Sequence, residues 1–322
     1  MQIMRQVLDE TDRRIAAALV ASPRASWREL ARCLGLSERT VVRRVALLYA
    51  DSTLRATVVR NPALFPHLVP LVLRIRCRPS RIRQVAQALA RRGDTVWVDI
   101  LGGGDEISAV FFLDGPEARN SLLLRDLPAT DAVGSWTAHT LLRVFPTAFR
   151  WTAGLLSAAE LAELAPEMTP PPTTAPLLDL DIALITALAE DGRATWTDLA
   201  RRTGTTALTA RRRVEALVAG QVVRLATEID LALLDAQTEA LLWIAVRPGA
   251  LQETAQTLSA HPHVRFCAAT TGPANLVVAV AAANLDALYA FLTDSVGPLD
   301  SVTAIDVTPL LATVKRTGLI RR

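Results

Sequence analysis

A chain of 322 residues, 51% hydrophobic and 21% charged, is long and apolar enough to build two or more packed domains, which excludes an intrinsically disordered polymer. A net charge of +3 carried almost wholly by arginine, with Lys315 the only lysine, suits planar contacts to phosphate and guanine, although a GC-rich genome produces the same usage. Three cysteines without a CxxC pair exclude a disulfide framework and a zinc site, and no apolar run (276–283 is the longest) approaches the roughly 18 residues that span a bilayer.

The first 55 residues read as three short helices. Ile15 and Leu19 mark the inner face of the first, with Asp9 or Thr11 as its N-cap. Ser26 caps a second over residues 27–33, Gly35 makes the turn, and Ser37 caps a third with Val41, Val45 and Leu48 inward. Two helices joined by a tight glycine turn, the second one basic, form the helix-turn-helix pattern. A β-prone link at 54–60 follows. The period then shifts toward two, predicting strand 71–77, helix 80–92, strands 95–101 and 107–113 around Gly102-Gly103-Gly104, helix 116–124 and strand 133–144. That order, β-α-β-β-α-β, is ferredoxin-like.

A proline-rich stretch, 146–176, comes next, with a short helix predicted at 157–165 and an extended semi-rigid spacer near its end. The whole pattern then repeats at an offset of 169 residues without a gap. Arg24-Ala25-Ser26-Trp27 recurs as Arg193-Ala194-Thr195-Trp196, and Arg43-Arg44-Val45 as Arg212-Arg213-Val214. Helix 182–189, a Thr195-capped helix, Gly204 and a Thr206-capped helix are followed by a β-prone link at 221–226. Strand 240–246, helix 251–260, strands 264–270 and 276–281, helix 285–296 and strand 302–314 complete the second copy. A unit this long is a duplicated fold and not a solenoid repeat. The fold class is therefore α+β: a tandem duplication of a winged or plain helix-turn-helix domain followed by a ferredoxin-like βαββαβ domain. The expected domains are 1–55, 56–147, a linker at 148–176, 177–230 and 231–322.

Both copies resemble the Lrp/AsnC (feast/famine) family of regulators. The resemblance is carried by Leu8-Asp9 to Asp12 and Leu36 to Val45 in the first copy, and by Asp179 to Asp181, Asp191 to Arg201 and Thr206 to Leu217 in the second. It covers nearly the whole chain except the linker. It implies DNA binding by the helix-turn-helix, sensing of an amino acid or similar effector by the ferredoxin-like (RAM) domain, and assembly through that domain. The chain departs from the family in its double length. It departs also in the turn between the second and third strands, which the family writes Gly-Asp-Tyr-Asp and this chain writes Gly103-Gly104-Asp105-Glu106 and Gly272-Pro273-Ala274-Asn275.

The expected DNA-contacting residues are Ser37, Arg39, Thr40, Arg43 and Arg44, and Thr206, Thr209, Arg211, Arg212 and Arg213. Arg44 and Arg213 are candidates equally for a structural or a phosphate-binding role. Arg39 against Leu208 predicts two unlike half-sites and an imperfect palindromic operator. Trp27 and Trp196 are expected to pack the second helix on its core rather than stack on bases. The effector is expected at Gly102, Gly103, Gly104, Asp105 and Glu106, and at Gly272, Ala274 and Asn275, whose backbone N–H groups are offered to a carboxylate. Arg74 and Arg76, with Trp243 at the position repeating Arg74, are assigned to the interface between copies, with Asp99 or Glu106 as the acid facing the arginines.

Among the four histidines, His261-Pro262-His263 reads as a solvated loop, and no metal or cofactor is expected. The partners expected are double-stranded DNA, a small effector and further copies of the chain, as a dimer or tetramer of duplicated chains, in the cytoplasm and away from membranes. No catalytic residue is assigned. The alternatives are a haem-pathway (sirohaem) decarboxylase with the same domain order, and a sensing module without DNA binding.

Overall fold

The computed structural model describes residues 8–145, 151–164 and 177–321. The first copy runs α1 (Glu10–Ala21), α2 (Trp27–Leu34), α3 (Glu38–Ala50) and β1 (Arg55–Arg60), then β2 (Leu68–Cys77), α4 (Ile82–Arg91), β3 (Thr95–Leu101), β4 (Glu106–Asp114), α5 (Gly115–Ser121) and β5 (Val133–Val144). A short α6 (Ala158–Leu164) follows; the proline-rich spacer predicted at 166–176 lies outside the described residues. The second copy runs α7 (Asp179–Glu190), α8 (Trp196–Thr203), α9 (Ala207–Ala219) and β6 (Val223–Glu228), then β7 (Thr238–Val246), α10 (Leu251–Ser259), β8 (Val264–Thr270), β9 (Leu276–Ala282), α11 (Leu285–Ala290), β10 (Val302–Arg316) and β11 (Leu319–Ile320).

Two predicted helices end differently. Residues 116–124 and 285–296 were each expected to run as one helix. Instead α5 and α11 are short, and each passes into a π-helical turn, Leu122–Asp126 and Phe291–Val296. A single-turn widening of this kind inserts about one residue into the helical count, which apolar periodicity does not register.

The chain forms two compact units, and each takes parts of both copies: residues 1–61 with 149–234, and residues 62–148 with 235–322. In the first unit, local chemistry starts each helix. The Asp9, Ser26, Ser37, Thr195 and Thr206 side chains each accept a first-turn backbone N–H, and Ser26 and Glu29 close a capping box. Gly35 and Gly204 end α2 and α8 at φ 67° and 68°, the left-handed conformation that the tight helix-turn-helix bend demands. Behind these helices lie Ile15, Leu19, Leu30, Val41 and Leu48, with Leu184, Leu199, Val214 and Leu217 in the second copy.

β1 and β6 pair antiparallel across the copies, Thr57 opposite Ala226. These positions are related by the repeat, so a pseudo-two-fold axis passes between them. On the first copy alone, α6 packs beside α1 and α2 through Arg32–Glu163 at 3.0 Å and a Cys33 thiol aimed at the Glu160 carbonyl. Cys33 is thus half-buried against α6, whereas Cys77 and Cys267 are core thiols, pushed by burial up to about 11 and about 12.

In the second unit each copy contributes a four-stranded antiparallel sheet in ferredoxin order, β3-β4-β2-β5 and β8-β9-β7-β10. Leu71, Leu73 and Ile75 face α4 in one core; Leu242, Ile244 and Val246 face α10 in the other. The last strand of each copy is long enough to change sheets. β5 pairs β2 up to Thr140 and β8 from Leu141; β10 pairs β7 up to Pro309 and β3 from Leu310. Thr140 and Pro309 are repeat equivalents, so the crossover is the same in both. With β5 on β8 and β10 on β3, the two sheets close into a ring whose strands leave no open edge between the copies.

Candidate functional site

The two recognition helices, α3 and α9, hold their caps through paired hydroxyls: Ser37 to Thr40 at 2.8 Å and Thr206 to Thr209 at 2.9 Å. Ser37, Arg39 and Arg43 are exposed on α3, as are Thr206, Leu208, Arg211 and Arg212 at the start of α9, with Thr40 and Thr209 half-buried beside them. This surface presents guanidiniums and hydroxyls from a helix N-terminus, the chemistry that phosphates and base edges accept. Arg211 already pairs with Glu215 on the same helix at 2.7 Å, an exposed contact that a phosphate can replace.

Arg44 and Arg213 are otherwise committed. Arg213 donates to both oxygens of Asp181 at 2.8 and 2.5 Å, and the Asp181 side chain is 0% exposed. Arg44 donates to Asp9 at 2.6 Å and Asp12 at 2.9 Å. Both arginines tie a recognition helix to the first helix of its own domain, which is the structural one of their two expected roles.

One constellation had a visible signal in the repeat but no role assigned to it. Arg24 donates to the carbonyls of Gly192 and Ala194 at 2.8 and 2.9 Å and stacks on Trp196 at 4.1 Å. Arg193 donates to the carbonyls of Pro23 and Ala25 at 2.6 and 3.1 Å and stacks on Trp27 at 3.9 Å. These contacts are related by the offset of the repeat. Trp27 and Trp196 therefore serve as platforms for the other copy's arginine, and not simply as packing for their own helices. Burial, with each guanidinium's repulsion of the other as the second cause, lowers the Arg24 pKa; burial lowers that of Arg193. A reciprocal clamp of this kind sets both recognition helices in one frame.

In the sheet ring, each glycine turn meets the other copy where that copy's last strand changes sheets. Gly102 N–H donates to the Pro309 carbonyl at 2.7 Å, and Thr271 N–H to the Thr140 carbonyl at 3.0 Å. Gly104 N–H closes the hairpin onto Leu101 at 2.9 Å. The Gly102 and Gly104 N–H groups expected to take a carboxylate are thus engaged within the fold. A Cβ at 102 would lie 3.1 Å from the Pro309 carbonyl, a tight contact, and glycine is required at 272, where φ is 104° and a Cβ would lie 2.4 Å from the His139 ring. Asn275 bonds both backbone groups of Val246 at 2.8 Å, and Glu106 is buried beside Arg74. Gly103, Asp105 and Ala274 remain at the turn surfaces, Asp105 giving its carbonyl to Cys77 N–H at 2.7 Å.

Arg74 pairs bidentately with Glu106, reaches Asp306 of the second copy at 2.6 Å, and lies 5.6 Å from the Trp243 ring centroid. Glu106 is therefore the acid of Arg74, as one of the two expectations held, and Asp306 is an additional partner 232 residues away in sequence. Arg76 is exposed, which corrects its assignment to the interface. Asp99 is buried elsewhere, accepting from Thr313 at 2.7 Å; burial raises its pKa against the pull of Arg316 and Arg265. Glu239 bridges those arginines at 2.6 and 3.1 Å, and together they outweigh its burial and hold its carboxyl below the ordinary range. His261 and His263 lie in the loop before β8, as expected, but half-buried: their rings lie 5.1 Å apart, and His261 lies 4.7 Å from Phe291. Among the described residues no group of three His, Cys, Asp or Glu side chains is placed to hold a metal ion, and no helix is long and apolar enough to cross a membrane.

The model of the AsnC-type helix-turn-helix domain matches residues 8–48 and 179–218, and that of the Lrp/AsnC ligand binding domain matches residues 239–320. The chain belongs to the Lrp/AsnC family. An HTH-type transcriptional regulator of Pyrococcus furiosus is 34% identical over 97 residues, 30% of this chain and 64% of that protein's own length. Another, of Pyrococcus horikoshii, is 26% identical over 144 residues, 44% of this chain and 90% of its own. These Lrp/AsnC relatives match less than half of the duplicated chain. A solved structure of the siroheme decarboxylase NirDL shares the fold across 96% of this chain and 93% of its own, with a TM-score of 0.60 and 11% identity. At that identity the likeness is one of fold.

Proposed function

We propose that the protein is an Lrp/AsnC-type transcriptional regulator in which one chain supplies both recognition helices of a DNA-reading pair and both halves of an effector-sensing ring. The observation that carries this reading is the reciprocal Arg24–Trp196 and Arg193–Trp27 clamp, which joins two helix-turn-helix domains whose exposed faces carry Arg39, Thr40 and Arg43 on one side and Thr209, Arg211 and Arg212 on the other. Ser37 and Thr206 add phosphate contacts at the helix N-termini. Arg39 reads a guanine edge in one half-site, and Leu208 meets a thymine methyl in the other, so the operator is an imperfect palindrome.

The effector is an amino acid or similar small molecule held at the glycine turns by Gly103, Asp105, Ala274 and the groups beside them. Binding there acts on the strands that cross between copies, and it shifts the protein only by the difference in affinity for two arrangements. The protein works in the cytoplasm, assembles as a dimer or tetramer of duplicated chains, and is not an enzyme.

The test is titration of the protein onto its own upstream intergenic DNA at two salt concentrations, with wild type and Arg43→Ala/Arg212→Ala. Tight binding that weakens with salt and is lost in the double variant supports the reading. If DNA is not bound at low salt while the preparation carries a porphyrin absorption band, the chain is a decarboxylase like its whole-chain structural neighbour.

A further inference from the structure

The helical face of the first sensing copy carries a hollow of about 470 Å³ between α4 and the π-turn that follows α5. That volume is in the range of sites that hold small organic molecules. Its floor is apolar, made by the buried side chains of Val85, Leu89, Leu122 and Leu127. Its rim is basic. Arg78 and Arg81 are exposed there, and neither forms a salt bridge among the described residues: Arg78 donates to the Asp131 carbonyl at 2.7 Å and Arg81 to the Gln84 amide oxygen at 3.0 Å. Arg92, deeper in the wall, is held by Asp94 at 2.8 Å and Asp126 at 3.4 Å.

The duplication supplies an internal control. At the equivalent positions of the second copy Arg81 becomes Ala250, Val85 becomes Thr254, Arg92 becomes His261 and Leu122 becomes Phe291. There the His261 ring packs 4.7 Å from Phe291, so an aromatic stack stands where the first copy keeps an open wall. Arg78 is kept, as Arg247; the fold tolerates the loss of Arg81 and the aromatic filling, and therefore does not itself require that arginine or the open wall.

We propose that this hollow is a small-molecule site present only in the first copy, separate from the glycine turns, and that its ligand is an amphipathic monocarboxylate. The carboxylate is held between Arg78 and Arg81, whose planar donors match it, and a branched aliphatic or aromatic body lies on Val85, Leu89, Leu122 and Leu127. With Arg92 committed to its own acids and Asp131 beside Arg78, the excess positive charge at the rim is small, which suits a monoanion better than a phosphate dianion.

The experiment is calorimetric titration of the full chain with 3-phenylpropanoate and with 4-methylpentanoate, using 3-phenylpropanamide as the neutral isostere. Saturable binding of at least one acid is expected, weakened about ten-fold or more for the amide, for Arg78→Ala and for Arg81→Ala, since each removes a charge-assisted pair. Both arginines are exposed, so these variants leave the fold intact. Leu122→Phe, which copies the second domain, should abolish binding; its unfolding curve shows whether it stays folded. Gly103→Ala should leave this binding unchanged. The proposal is overturned if neither acid binds wild type at concentrations up to roughly 10 mM, if the Arg78→Ala/Arg81→Ala double variant binds as wild type does, or if the amide binds as tightly as the acid.

Discussion

The DNA-reading unit and the sensing unit treat the relation between the two copies in opposite ways. In the first, the repeat-related contacts are kept: each copy's arginine grips two carbonyls and one tryptophan of the other. In the second, the residues that meet between the copies have diverged. Arg74 lies against Trp243, and Trp97 packs on Phe266 at 5.2 Å, each pair being equivalent positions of the two copies. A homodimer would have to place Arg74 against Arg74, two like charges in a closed sheet ring. The duplicated chain instead makes a cation–π pair that favours joining copy one to copy two over joining copy one to itself. Symmetry persists where two recognition helices share one frame, and it is lost where the interface can be specialised.

The copies differ most sharply in how they anchor their recognition helices. Arg213 rests on one fully buried acid, Asp181, whereas Arg44 divides its hydrogen bonds between Asp12 and Asp9, the latter 54% exposed. Asp181→Ala should therefore destabilise the protein by about 2–3 kcal/mol in denaturant unfolding, while Asp12→Ala, which leaves Asp9 in place, should cost less than about 1 kcal/mol. Equal losses would mean that the two anchors are equivalent after all. Arg24→Ala should cost a comparable amount, roughly 2–4 kcal/mol, because it removes two charge-assisted hydrogen bonds and a stacking contact. It should also weaken DNA binding, although Arg24 makes no contact through the recognition helix. Undiminished DNA affinity in a folded Arg24→Ala protein would break the link between clamp and reading.

The smallest effect concerns pH. Burial depresses both His261 and His263, and the charge of His263 further opposes that of His261. The unfolded chain then binds more protons than the folded one below the ordinary histidine pKa of about 6.5. Stability contributed by the neutral rings is present above that value and is lost as the pH falls through the window beneath it. Between neutral pH and the mid-fives the Tm should fall by at most on the order of 2–4 °C from this source, since both rings keep contact with solvent. His261→Asn should shrink the fall; the first copy has Arg92 at that position and offers no such titration.

Much of the fold was readable in the chain because its signals are local. N-cap oxygens at Ser26, Ser37, Thr195 and Thr206, glycines at 35 and 204, and the shift from helical to alternating periodicity each act within a few residues. The exact offset of the repeat carried the assignment of one copy to the other. The exposed residues of the recognition helices were readable for the same reason, since Val41, Val45 and Leu48 fix which face turns inward.

What remained hidden in the sequence was every choice of partner across long distances. Alternation gives a strand its two faces but not its neighbour, so nothing in 133–144 or 302–314 announced that each last strand leaves its own sheet at Thr140 or Pro309. Arginine likewise pairs with any carboxylate or carbonyl that the fold brings within reach: Arg74 took Asp306 as well as Glu106, and Arg24 took the backbone of the other copy. The sequence by itself determined the duplication, the helix-turn-helix and ferredoxin-like elements and their inward faces, because short-range sterics and hydrophobic periodicity dictate them. The tertiary structure alone decided which copy supports which, because ring closure, the reciprocal clamp and the hetero-paired axis arise only when segments about 169 residues apart are brought together.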